Sequence, residues 1–248
     1  MKPKSTLNRS TLNIKHHIRV RKRFNDQRDL FLKRTIAAQI HLFSALIFFF
    51  FSLLLGYLCF NRPALEFYSA LGFGAASVAL FSASSFMHFM VDGFRVSKKF
   101  ERILEDVDKI AIYFLIASTY TAIAAKPLTD PLRTRITVII WSIAIFGILY
   151  TIFRTRLPRL LAHRFVLTAQ FLAMGWVVVF FIKDLVQGLS PSQLAFIFIG
   201  GIFYSIGAVS YALQWPRISK YFGFHEIWHS FVSLGSFSFL ITIILIYT

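Results

Sequence analysis

The chain is poor in the features that soluble and secreted folds rely on. Only 11 of its 248 residues are acidic against 27 lysines and arginines, leaving a net charge of +16. A single cysteine, Cys59, has no partner for an intramolecular disulfide and gives no indication of redox compartment. The first 34 residues lack a short apolar core followed by a small-residue cleavage site, so no signal peptide is expected there. No internal repeat and no second domain is evident. Apolar residues, by contrast, make up 56% of the chain, with 30 phenylalanines. A soluble core has no use for so much apolar surface, whereas runs of about 18 or more apolar residues read as membrane-spanning helices.

Seven such runs are present: Ile36–Phe60, Phe67–Val91, Ile110–Ala125, Ile136–Phe153, Phe165–Ile182, Gln193–Leu213 and Ile227–Thr248. The fold class is therefore an all-α integral membrane protein, a bundle of seven transmembrane helices over residues 35–248 preceded by a basic tail over 1–34. The short connections are marked by Pro63, Pro127, Pro131, Pro158, Pro191 and Pro216. With the amino terminus in the cytoplasm, 22 basic residues fall inside and five outside (Arg62, Lys126, Arg133, Arg135 and Lys183). The distribution predicts a cytoplasmic amino terminus and an external carboxyl terminus. The positive charge then serves topology and attraction to anionic lipid headgroups at the tail, and calls for no nucleic acid.

In this topology the polar residues of three separate spans meet at one edge of the membrane. Ser84 and His88 lie near the end of the second span, Asp108 at the start of the third, and His225 and His229 in the first turns of the seventh. A step of four residues turns a helix by about 400°, so each pair shares a face about 6 Å apart at Cβ. Three neutral imidazoles with a fourth position open to water suit a catalytic zinc ion, although iron, copper and nickel also accept imidazole. The individual residues have plainer readings. Asp108 at a helix start can be an N-cap or a charge on the helix dipole. His16, His17, His41 and His163 can be interfacial side chains. The joint placement of the other three favours a metal.

His225-Glu226-Ile227-Trp228-His229 also fits H-E-x-x-H, the helix signature of zinc metalloproteases with the glutamate as general base. No third-ligand pattern follows it before Thr248, which makes an intramembrane protease the lesser reading. Outside the clustered edge, the spans carry no acidic or basic ring that would line a pore.

Three motifs in order, Ser84-x-x-x-His88, Val107-Asp108-Lys109 leading into Tyr113 and Thr119-Tyr120-Thr121, and Gly223-Phe224-His225-Glu226-Ile227-Trp228-His229, resemble the hemolysin III family. This is the bacterial branch of the progestin and adiponectin receptor family. The resemblance runs from the first span to the end and implies seven helices in the bacterial cytoplasmic membrane, with zinc near the cytoplasmic leaflet. It further implies His88, His225 and His229 as ligands, with Ser84 and Asp108 engaging water at the metal. The opening of the first span departs from the usual Glu…Asn…Thr-His pattern: Arg34-Thr35-Ile36-Ala37-Ala38-Gln39-Ile40-His41 keeps only the histidine. Adiponectin receptors and alkaline ceramidases are related. By analogy the expected function is metal-dependent hydrolysis of ceramide-like lipid amides in membrane lipid homeostasis. A non-enzymatic sensor or regulator, or a membrane-perturbing hemolysin, each with a structural zinc, are the alternatives.

Overall fold

The computed structural model describes residues 35–94, 96–158, 160–219 and 222–248. The basic tail over 1–34, expected to be mobile or to lie on the membrane surface, falls outside the described residues. The described chain is helical: α1 (Thr35–Cys59), α2 (Ala64–Gly93), α3 (Lys98–Ala124), α4 (Leu132–Phe153), α5 (Arg164–Gly175), α6 (Ile182–Gly188), α7 (Pro191–Leu213) and α8 (Phe224–Tyr247). A 3₁₀ segment, Trp176–Phe181, joins α5 to α6, so that Arg164–Gly188 forms a single span. Seven spans are long and apolar enough to cross a membrane, as the sequence predicts.

The largest boundary difference is at α3, which starts at Lys98, about three turns before the apolar run. Ser97 caps it by accepting the Phe100 backbone N–H. Asp108 therefore stands inside a formed helix, and the N-cap reading is corrected. Charged residues in these first turns find partners along and across helices: Lys109 pairs with Glu105, and Arg154 at the end of α4 reaches both Glu105 and Asp106. Composition alone marked the apolar stretch but could not extend the helix through its polar beginning.

Packing draws the helices together by two means. Small residues let backbones approach: a Cβ on Gly200 would lie 3.2 Å from the Gly235 carbonyl, and one on Gly235 an equal distance from that of Gly200, which fixes the α7–α8 crossing. Aromatic residues fill the larger gaps. Phe48 of α1 is fully buried and stacks between Phe81 of α2 and Phe237 of α8, at 5.2 and 4.9 Å between centroids; such pairs contribute about 0.5–1.5 kcal/mol each beyond burial. Many large apolar side chains on the outside, including Phe43, Phe50, Tyr57 and Phe146, are exposed, as a lipid-facing surface requires.

The break in the fifth span has a local cause. Trp176-Val177-Val178-Val179-Phe180-Phe181 is entirely aromatic and β-branched, which crowds the preceding turn of an α-helix. The side chain of Tyr120 from α3 holds the altered backbone, donating to the Gly175 carbonyl at 2.7 Å and accepting the Val178 N–H at 2.8 Å.

Candidate metal centre

The alternation of spans brings the start of α1, the end of α2 and the starts of α3 and α8 to one end of the bundle. His88, His225 and His229 meet there, each offering a ring nitrogen within 4.8 Å of the other two. His88 is 5% and His229 2% exposed, and His225 is partly buried. The rings stand edge to face, with centroids 4.6–4.8 Å apart. The Nε2 atoms of His225 and His229 face each other at 3.1 Å. Two nitrogens bound to one tetrahedral ion at about 2.05 Å would lie about 3.3 Å apart, so the observed separation fits a shared ion.

Two of the remaining ring nitrogens are engaged elsewhere. His88 Nδ1 contacts the Asp92 carboxylate at 2.8 Å, and His229 Nδ1 lies 3.1 Å from His41 Nε2. With both Nδ1 atoms turned outward, the Nε2 lone pairs of His88 and His229 are free to converge, which is the usual arrangement around a metal held by imidazoles. The donor set, geometry and burial all suit zinc or another imidazole-preferring ion.

Ser84 and Asp108 line the cavity adjoining this cluster. Ser84 is 1% exposed, and its hydroxyl makes no hydrogen bond of ordinary geometry. The polar neighbours of Asp108 are His88, Ser84, Lys109 and Glu105. From there the cavity follows one face of α3 through Ile112, Leu115, Thr119 and Ile123 to Ala124. The sixteen helical steps from Asp108 to Ala124 span about 24 Å, most of the roughly 30 Å hydrocarbon layer. Its other walls come mainly from α5, α6, α7 and α8 and are almost wholly apolar.

Two residues near the cluster escaped the sequence reading. Asp92 follows His88 by the same four-residue step that linked Ser84 to it, so the signal was present. His41, grouped there with interfacial histidines, is in fact 2% exposed and packs its ring against His229 and Phe81. Glu226 has a local role: its carboxylate accepts the Gly223 backbone N–H at 2.8 Å and so closes the first turn of α8.

The sequence neighbours agree with this architecture. A family model described as Haemolysin-III related matches residues 31–240, a span that contains every residue of the cluster. The chain is 38% identical over 166 residues to the Hemolysin-3 homolog of Bacillus subtilis (strain 168), covering 66% of this chain and 70% of that protein. It is 36% identical over 140 residues to Hemolysin-3 of Bacillus cereus, covering 56% of this chain and 58% of that one. With seven apolar spans and a match through nearly all of them, the chain belongs to the haemolysin III-related family, as a multi-pass protein of a bacterial cell membrane.

Proposed function

We propose that this protein is a zinc-dependent hydrolase of lipid amides, oriented with its amino terminus in the cytoplasm and its histidine cluster near the inner leaflet. The observation that carries the reading is the coincidence of two features. A three-imidazole cluster adjoins, through His229, the head of a long apolar cavity, and the Asp108 carboxylate and the buried Ser84 hydroxyl share that head. A lipid with its amide at the cluster and its acyl chain along α3 would satisfy both.

His88, His225 and His229 would hold the ion, which when bound supplies Lewis acidity and makes water readily ionised near neutral pH. Asp108 is the general base: it takes a proton from water as the water oxygen adds to the amide carbonyl carbon. As the C–N bond breaks, Asp108 returns that proton to the departing nitrogen. The Ser84 hydroxyl donates to the carbonyl oxygen as negative charge gathers on it. Phe171, Val232 and the other apolar walls receive the chain and exclude bulk water. The basic tail would hold anionic headgroups at the same leaflet.

The metalloprotease reading is weakened by Glu226, whose carboxylate is spent on the start of α8. The deciding experiment pairs elemental analysis with lipid turnover. Purified protein should carry about one zinc per chain, a His225→Ala/His229→Ala variant should carry none, and only the former should release fatty acid from ceramide vesicles. Zinc present with no cleavage of any lipid amide or ester would sink the hydrolase and leave a structural metal in a sensor or regulator.

A further inference from the structure

We infer that His41 is a positioning residue for the metal centre, holding the His229 ring by accepting the proton on its Nδ1. The inference rests on the metal-site reading above and concerns a residue outside the ligand set.

The geometry leaves little room for another assignment. His41 Nε2 lies 3.1 Å from His229 Nδ1, and the two rings are nearly perpendicular, at 86°, with centroids 4.3 Å apart. A neutral imidazole has one N–H and one lone pair. For His229 to direct the Nε2 lone pair at an ion, its proton must be on Nδ1, and His41 Nε2 is the acceptor there. Were the contact reversed, with His41 donating, His229 would carry its proton on Nε2. That proton would point at His225 Nε2, 3.1 Å away, and close the site. With its own proton on Nδ1, His41 holds His229 in the binding tautomer as well as in its ring plane.

His41 is itself held firmly. One turn before it, the Ala38 carbonyl accepts from the Ser85 hydroxyl of α2 at 2.8 Å; one turn after it, Ser44 donates to Ser233 of α8 at 2.8 Å. Phe81 packs against its ring edge to face at 5.0 Å. These contacts tie α1 to the two helices that carry the three clustered histidines, and they place the acceptor without slack. His41 Nδ1 is buried without a hydrogen-bond partner. A side chain placed only for packing would not leave a polar atom so exposed to desolvation cost. The contact to His229 gives a reason for an imidazole here rather than a leucine.

His41 differs from Asp92, which makes the equivalent contact to His88. The Asp92 side chain is 35% exposed, so water can replace it. At His41 water has little access, and loss of the acceptor would leave the His229 N–H buried and unpaired.

The test is metal binding by the full-length protein in lipid nanodiscs, stripped with chelator and titrated with Co²⁺ and then Zn²⁺ in competition. His41→Leu removes the acceptor while keeping an apolar fill, and His41→Gln returns a neutral acceptor. We expect the leucine variant to bind either metal about 10- to 100-fold more weakly with an altered Co²⁺ ligand-field band. The glutamine variant should recover both affinity and band. If leucine binds as wild type does, His41 is only packing and the inference fails. If glutamine binds as poorly as leucine, an imidazole is required for its own sake and the positioning role fails as well. Should the leucine variant not fold, His41→Phe provides a ring without an acceptor. If wild type takes up neither metal, the metal-site reading has failed, an outcome distinct from either result on His41.

Discussion

The two ends of α8 are built in opposite ways. At its carboxyl end the last four carbonyls all have donors, the first from the cap residue and the other three, beyond the helix's own ladder, from elsewhere. Ile244 accepts the Thr248 N–H, Leu245 the Gln193 amide, Ile246 the Lys126 ammonium, and Tyr247 the Arg62 guanidinium. The Tyr247 hydroxyl donates onward to the Ala122 carbonyl. At the amino end, His225 and His229 face chiefly other imidazoles, and the hydroxyl of Ser84 nearby is buried beside Asp108 with no hydrogen bond of ordinary geometry. One end is closed by its own chemistry. The other keeps lone pairs and a donor in reserve, which costs stability unless something binds. The difference marks the amino end as the one with groups to offer a ligand, independently of any motif.

The sharpest way to break this comparison is to change a group at the open end that does not bear on folding. Asp108→Asn preserves size and leaves the three histidines in place. It should keep zinc and thermal stability while lowering the lipid-amide turnover proposed here by about 10²–10⁴-fold, the usual contribution of a general base. Equal turnover in the variant would remove Asp108 from the chemistry. A smaller effect is expected at Asp92. Asp92→Ala takes the carboxylate from His88 Nδ1, but the site is partly open to water, so zinc affinity should fall by about tenfold, at the low end of such effects. A competitive chelator titration checks this.

The closed end should respond in the other currency. Arg62→Met with Lys126→Met strips donors from two terminal carbonyls of α8. We expect a loss of about 1–2 kcal/mol in stability, with zinc content unchanged. Thermal unfolding in detergent, with metal analysis on the same samples, separates the two. Loss of metal in this variant would mean that the ends are coupled through α8 and that the division drawn here is wrong.

How much of this was legible in the sequence depends on which signal each feature leaves. The seven spans were readable because lipid imposes one composition on every helix that crosses it. The convergence of His88, His225 and His229 was readable because alternating topology fixes which ends share a leaflet. The polar first turns of α3 were not, since Lys98–Lys109 is held by pairing with α4, through Arg154, as well as by its own pattern. His41 was misjudged for a related reason. Its depth depends on how α1 rotates against α2 and α8, and that rotation is set by contacts with Phe81, Ser85 and Ser233, residues remote in sequence. The sequence places a residue along a helix; the packing of several helices decides which way it faces.

The smallest expected effect is also informative, because two readings of the same five residues disagree on it. In a metalloprotease, the glutamate of His225-Glu226-Ile227-Trp228-His229 is the base, and Glu226→Gln abolishes activity. Here its carboxylate closes the first turn of α8 against the Gly223 N–H. A glutamine carbonyl can accept the same bond, and a glutamine at that position still completes a capping arrangement. Glu226→Gln should therefore leave zinc content and lipid turnover near wild type and shift stability by no more than a few tenths of a kcal/mol, the scale of a charge lost at a helix start. Loss of turnover with retained zinc would return Glu226 to the reaction and reopen the protease. An unchanged variant would show that the H-E-x-x-H match arose from two constraints that share a helix: side chains four residues apart on one face, and an acidic residue in the first turn.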